Sequence, residues 1–477
     1  MTGRVEPASR PWDLVIKGGT VVSSSGRSVA DLAVSEGRIA AVGHLEGLRP
    51  ADGARTVEAK GMIVAPGGVD VHTHLDMPFG RGATADDFAS GSKAALLGGT
   101  TTIIDFAAPG PGGSLERGLQ AWMRRAEGKC SVDFGFHMTM VGASDRGLRE
   151  MDRLVGLGVT SFKVFTAYPG RLMSDDGDIF KVLRRSRDNG ALVSAHCENG
   201  PVIAALVREA LASGNTGPRF HALTRPPAAE AEAAGRVIAL AEMAGAPVYI
   251  VHLSTAAALA EVRRGRKRGV RVLAETCPQY LTLTAEEYER PGFEGAKFVM
   301  SPPLRPRGND ARLWAALAAG EIQTVATDHC SFPMKSRGSA PCKADGRHDF
   351  SKIPNGAPGI GARMPLLWDA AQKGRITPER FVEVTASGPA RIFGLHPRKG
   401  SLAPGADADI VVIDPRKTHT FTVSNQNLKV DYDPYEGRTA HGAVRDVFLG
   451  GRPMVLQGRF VGETGKGRFL RRTPRDS

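Results

Sequence analysis

Cysteine is scarce and unpatterned in this chain: Cys130, Cys197, Cys277, Cys330 and Cys342 are the five present among 477 residues. An odd number with no Cys-x-x-Cys pair argues against a disulfide framework and against a structural zinc ribbon; reduced thiols fit a cytoplasmic location. Long apolar runs are missing too. The first thirty residues hold no segment of signal-peptide length, and no run elsewhere is long enough to span a bilayer. No membrane partner is expected. There is no low-complexity tract and no internal repeat. With 42% apolar and 23% charged residues the composition is globular, and the length allows one large domain plus a smaller one.

Charge of one sign is in excess, at +12. Alone, that suggests nucleic acid, but no reader motif accompanies it. The densest basic clusters are Arg263-Arg264-Gly265-Arg266-Lys267-Arg268, which reads as a helix C-terminus, and residues 466–475, which read as a solvated tail. No nucleic-acid partner is expected.

Residues 12–65 and 400–465 are strand-rich, with short alternating runs (LVIKGGTVV, ADADIVVIDP) cut by Gly, Ser and Asp. Neither segment has enough strands to be stable alone. A small β-sandwich domain built from both termini, residues 1–65 and 396–477, is therefore expected, with 66–395 inserted in it. The middle alternates strand and helix signals, with strands expected at 69–74, 100–106, 132–138, 159–165, 191–196, 246–252, 270–276 and 322–328. Eight parallel strands with helical crossovers predict an α/β fold, a (β/α)8 TIM-type barrel. The clearest helix is expected to start at Thr84 as its cap, with Asp86 and Asp87 in the first turn, and to stop at Gly98-Gly99. The long connections 277–321 and 329–361 leave the face where barrel chemistry sits and read as substrate-binding walls.

On that face the chemistry-bearing residues fall at strand ends: His72 and His74 (VDVHTH), Lys163 (TSFKV), His196 (LVSAH), His252 (VYIVH) and Asp328 (TVATD). The i, i+2 spacing of His72 and His74 points both rings to one face, where they can share a metal ion, with Asp70 and Asp76 as candidate acceptors behind them. His196 and His252 can each be a buried histidine satisfied by backbone; at equivalent strand ends beside a His-x-His they point to a second metal. Lys163, flanked by large apolar residues, is either paired to a carboxylate or a neutral amine that adds carbon dioxide, giving an anion able to bridge two metals. Asp328 can act as general base and then general acid, or be a turn aspartate. His329, next to it, is expected to point away. Tyr168 can donate to an oxyanion, or be an ordinary loop tyrosine.

With those residues laid out, the chain resembles the dihydropyrimidinase and D-hydantoinase family of the amidohydrolase superfamily. The resemblance runs through GGVDVHTHLDMPFG (67–80), SFKVFTAY (161–168), SAHCENG (194–200), VHLS (251–254), ETCPQYL (275–281), SPPLR (301–305), ATDHC (326–330), IPNGAPG (353–359) and GLHPRKGSLAPGADADIVV (394–412). It implies hydrolysis of the ring amide of a cyclic ureide, a dihydropyrimidine or 5-substituted hydantoin, to an N-carbamoyl amino acid. It implies two divalent metal ions, zinc with manganese or cobalt as substitutes. His72, His74 and Asp328 would hold one ion, His196 and His252 the other, and N6-carboxylysine at Lys163 would bridge them. It implies that Tyr168 stabilises the oxyanion, that backbone at Ser301 and Asn355 binds the amide edge of the ring, and that the chain forms a homo-oligomer, tetramer or dimer. The loop 331–349 departs from the family's shorter loop, and Gly361-Ala362 lack the acidic residue usual before Arg363. A dihydroorotase would want an arginine soon after His74, where Leu75 and Asp76 stand instead, and Met77-Pro78-Phe79 suggests an apolar wall. An allantoinase-like enzyme and a non-enzymatic scaffold of the same family are the alternatives; the intact ligand set argues against the scaffold.

Overall fold

The computed structural model describes residues 12–45, 54–110, 112–336 and 340–475. Residues 1–11, 46–53 and 476–477 of the expected terminal domain, and 337–339 of the loop 331–349, lie outside the described residues. The alternating runs at the two ends form β1 (Leu14–Ser23), β2 (Gly26–Ser35), β3 (Arg38–Gly43), β4 (Arg55–Glu58) and β5 (Ile63–Pro66). Past the barrel come four more strands, numbered below, and all nine share one sheet.

The barrel strands are β6 (Gly68–Thr73), β9 (Thr100–Ala107), β10 (Asp133–Thr139), β11 (Ser161–Phe165), β12 (Leu192–His196), β13 (Val248–Ile250), β14 (Val272–Thr276) and β15 (Thr324–Val325). A short hairpin, β7 (Pro78–Phe79) with β8 (Gly82–Ala83), follows the first of them. The eight pair in sequence order, all parallel. Each of the eight expected strands is present. Most are buried along their length, because helices cover the outer face and the barrel interior is filled. The first and eighth strands meet through Thr327, whose N–H and hydroxyl both donate to Asp70, and through a bridge between Thr73 and His329.

The last strands are β16 (Ile410–Thr420), β17 (Thr439–Leu449), β18 (Arg452–Leu456) and β19 (Arg459–Phe460). Antiparallel pairing of β16 with β5, from Ile410 opposite Pro66 to Ile413 opposite Ile63, is the seam where the two ends of the chain join. At the far edge Arg38 bridges Asp407, so the sheet folds back on itself. Leu14, Ile16, Leu32, Val34, Val64, Ile410, Val412 and Phe448 fill the space between.

Two expectations are corrected. The first helix, α1 (Phe88–Leu97), is capped by Asp87, whose carboxylate accepts from Ser90 N–H at 2.8 Å. Thr84 instead donates to the His74 carbonyl and accepts from Met77 N–H, tying the hairpin to the strand end. The stop at Gly98-Gly99 holds, with Gly99 at φ 88°. The basic tail is solvated only in part: Lys466, Arg468 and Arg471 are exposed, but the segment is anchored. Its backbone pairs with β10 (Leu470 N–H to Phe134 carbonyl, 2.7 Å), Leu470 is fully buried, and Arg472 donates to Ser161 Oγ at 2.8 Å and to the Phe136 carbonyl. A guanidinium can be buried where neutral oxygens accept from it; Arg472 has two such acceptors, its Nε none among the described residues, and a run of arginines does not reveal them. The cluster at 263–268 does end a helix, Ala256–Lys267. No helix among the described residues is long and apolar enough to cross a membrane.

Candidate active site

His72, the fifth residue of β6, and His74, one past its end, face the barrel axis by strand alternation. Asp328 lies three residues beyond β15 with φ 52°. One carboxylate oxygen, Oδ1, stands 3.2 Å from His72 Nε2 and 3.1 Å from His74 Nε2. The three form a group of metal-ligand geometry. Burial pushes Asp328 up, but the facing His72 and His74 more than reverse this and hold it below the ordinary carboxylate range.

A second pair lies alongside. His196 Nδ1 and His252 Nε2 are 2.9 Å apart, and the His252 ring centroid is 5.4 Å from that of His72. Lys163 is between the two pairs. Its Nζ is 4.8 Å from the Phe106 ring, which packs on His72 and His74, and 5.2 Å from the Phe165 ring, which packs on His196. Among the described residues no carboxylate forms an ion pair with it, so the paired-lysine explanation fails. Burial pushes its amine down to about 8, so a neutral fraction is available near neutral pH.

Two carboxylates not singled out from the sequence fix the rings. Glu275, in β14, accepts from His72 Nδ1 at 2.7 Å, from Tyr249 O–H at 2.9 Å and from His252 N–H at 3.1 Å. Glu198 accepts from His196 Nε2 at 2.9 Å. Burial pushes Glu275 up to about 8 against the opposing effect of Lys163 and its donors. Asp70 and Asp76 do not take this role: Asp70 serves Thr327, and Asp76 pairs with Arg125 at 2.8 Å. Glu275 is the penultimate residue of its strand, close to the position the proposed ligands take, so the strand-end signal was available for it.

These contacts decide whether the residues fit metal ions. His72 spends its one N–H on Glu275, and burial keeps its ring neutral. Its Nε2 lone pair therefore faces the Asp328 oxygen, two acceptors with no proton between them. His196, with Nε2–H given to Glu198, likewise turns the Nδ1 lone pair towards His252. Lone pairs aimed at one point, among N and O donors, fit divalent cations.

Tyr168, at φ 65°, packs on His196 with ring centroids 5.3 Å apart and meets Ser301. Ser301 is buried, its hydroxyl facing Tyr168; Asn355, half-buried, lies on the neighbouring segment, where Gly356 N–H donates to the Val299 carbonyl at 3.0 Å. His329 points away as expected, its Nδ1 accepting from Gly359 and Ile360 N–H and its Nε2 facing Asp86 at 3.3 Å. Phe79 of the hairpin meets Phe332 edge-on at 5.0 Å, an apolar wall. Arg363 finds an acid away from its own segment: its Nε lies 3.9 Å from buried Asp70, and it donates to the carbonyls of Val69, Val325 and Thr385 at 3.0–3.2 Å.

Residues 63–454 match the family model described as the amidohydrolase family. The chain is 48% identical to a D-hydantoinase of Streptomyces coelicolor over 97% of each chain. It is 44% identical to a D-hydantoinase of Geobacillus stearothermophilus over 96% of each. It superposes on the crystal structure of a dihydropyrimidinase from Brevibacillus agri with a TM-score of 0.94, at 45% identity, covering 97% of this chain and 99% of that one.

Proposed function

This chain belongs to the amidohydrolase family, in the branch of D-hydantoinases and dihydropyrimidinases, and from that premise we propose that it hydrolyses the ring amide of a cyclic ureide to an N-carbamoyl amino acid. One observation carries the site assignment: the far nitrogens of His72 and His196 are each committed to a carboxylate, leaving their lone pairs aimed inward. In this reading His72, His74 and Asp328 would hold one divalent ion and His196 and His252 the other, and a carboxylated Lys163 would be a ligand to both. Zinc is the proposed metal, and the protein a cytoplasmic homo-oligomer, tetramer or dimer. We further propose the division into a (β/α)8 domain, 66–395, and a domain from the two ends, 1–65 and 396–477.

Bound ions there supply Lewis-acid polarisation of the ring carbonyl and a water of lowered pKa. The chain's own residues do the rest. Asp328, held ionised, takes the proton from the attacking water as the new C–O bond forms. The Tyr168 phenol, which burial keeps protonated, donates to the carbonyl oxygen as it gains charge. Backbone at Ser301 and Asn355 holds the amide edge of the ring. Asp328 then returns the proton to the ring nitrogen as the C–N bond breaks.

Ring opening of dihydrouracil, of both enantiomers of 5-phenylhydantoin and of allantoin by purified, metal-loaded protein tests the reading. Turnover of dihydrouracil or a hydantoin is expected. Failure on all of them with two metals bound per chain would overturn the substrate class and leave the metal site standing.

A further inference from the structure

We propose that Lys343 is a positioning residue for the substrate: its ammonium ties together the segments 299–302 and 353–356, leaving Ser301 and Asn355 as the backbone groups free to meet the ring. The inference rests on the proposed role of those two residues. Lys343 lies in the loop 331–349, the stretch that departs from the family pattern. It is fully buried. Its Nζ donates to the carbonyls of Val299 (2.7 Å), Pro354 (2.7 Å) and Gly356 (2.6 Å), two of which follow or precede Asn355 directly. Among the described residues no carboxylate pairs with it, and burial pushes it down to about 7.

An uncompensated buried amine is costly, so its placement calls for a reason. The neighbouring carbonyls supply one. Met300 accepts from His221 Nε2 at 2.8 Å, and Pro302 accepts from Tyr280 O–H at 2.7 Å. With Val299 held by Lys343 and by Gly356 N–H, every carbonyl from 299 to 302 is occupied among the described residues except that of Ser301. On the other segment, Pro354 and Gly356 are held by Lys343, while the Asn355 carbonyl has only the Cys330 thiol at 3.7 Å. The two open positions are the two assigned to the ring, and Tyr168 abuts Ser301.

The residue type follows from the geometry. Three acceptors converge on one nitrogen, which three ammonium N–H donors match and a planar guanidinium does not. The turn that carries it, Lys343–Gly346, is pinned by Asp345, which accepts from Cys342 N–H at 2.9 Å. Gly346 lets that turn lie against Ile353: a Cβ there would fall 2.4 Å from Ile353 N. The lysine and both segments are therefore one packed unit.

The test compares 5-phenylhydantoin with its analogue methylated on the uncleaved ring nitrogen, in wild type, Lys343→Met and Lys343→Gln, with metal content measured in each. Wild type should favour the parent ring by about tenfold or more in KM, since the methyl group blocks an N–H contact with the open backbone. In Lys343→Met, KM for the parent should rise about tenfold, more than kcat falls, and the preference should shrink to about twofold. Metal content should stay at the wild-type value. Lys343→Gln, which keeps two donors, should fall between, and it carries the test where the methionine variant does not fold. A wild-type preference kept in the variants, with only stability lost, would make Lys343 a structural lysine and overturn the proposal. Absence of any preference in wild type would instead remove Ser301 and Asn355 from ring binding, and the proposal with them.

Discussion

Replacing Glu275 by leucine takes away the acceptor of three buried hydrogen bonds, from His72 Nδ1, Tyr249 O–H and His252 N–H. Tyr249 keeps Thr324 as a second partner, so two donors are orphaned. A buried donor left unpaired costs about 1–3 kcal/mol, giving a loss of about 2–6 kcal/mol in the metal-free protein. Burial already pushes Glu275 up to about 8, so its charge is expensive to keep in the core, and its removal recovers part of that cost. The lower half of the range is expected. Glutamine separates stability from ring orientation. Its oxygen can still accept from His72 and His252, and its amide can face the Tyr249 oxygen, so the fold should lose little. What goes is the second carboxyl oxygen, which accepts from Tyr249, and metal affinity should fall about 10–100-fold, the usual effect of altering a ligand's supporting partner. Urea unfolding of chelator-treated protein reads the first effect, and competition with a chromophoric chelator reads the second. If Glu275→Leu were as stable as wild type, or Glu275→Gln bound metal undiminished, Glu275 would not be what orients His72.

Asp328→Ala should remain folded by circular dichroism and lose about 10²–10⁴-fold in turnover, and near-normal turnover would remove Asp328 from the proton path. Lys163→Ala should bind less metal, measured by elemental analysis, and recover part of its metal and activity with added acetate or propionate; a full metal complement without them would refute the bridge. Lys343 bears on pH. Its amine falls from an ordinary 10.5 to about 7 in the fold. Between those values the unfolded chain holds a proton that the fold does not, so stability rises with pH, by at most about 1.4 kcal/mol per pH unit. The stability difference between wild type and Lys343→Met should therefore grow from pH 7 to 9, the neutral amine keeping two of the ammonium's three N–H donors; a flat difference would show that the three carbonyls hold the ammonium charged across that range.

Residue type and strand-end position single out His72, His74, His196, His252, Lys163 and Asp328, and a parallel barrel collects such positions on one face. All eight strands were legible for the same reason: buried apolar runs recur between helical stretches. What stayed hidden depends on partners distant in sequence. Thr84 and Asp87 are both good caps, and the hairpin that claims the Thr84 hydroxyl decides between them. The tail is a run of arginines until β10 offers it a strand to pair with and carbonyls to meet. Lys343 sits in a loop with no periodicity, and its three acceptors lie 11 to 44 residues away.

The orientation of the ligands is a separate matter from their location. His72 and His74 reach the axis by alternation alone, but β13 ends at Ile250 and β15 at Val325, short of His252 and Asp328. Those two residues have φ of 36° and 52°, and Tyr168 has 65°, a region that L residues enter at a cost. The turn takes each chain out of its ladder and swings the side chain inward. Neighbours keep it there: Thr327 is bound to Asp70, His329 is held by Gly359 and Ile360, and the His252 N–H is held by Glu275. The strained backbone is thus bracketed by hydrogen-bonded residues, which keep Asp328 Oδ1 3.1–3.2 Å from the His72 and His74 rings. Regular strands would have put the right residues on the right face and left them unable to share a ligand.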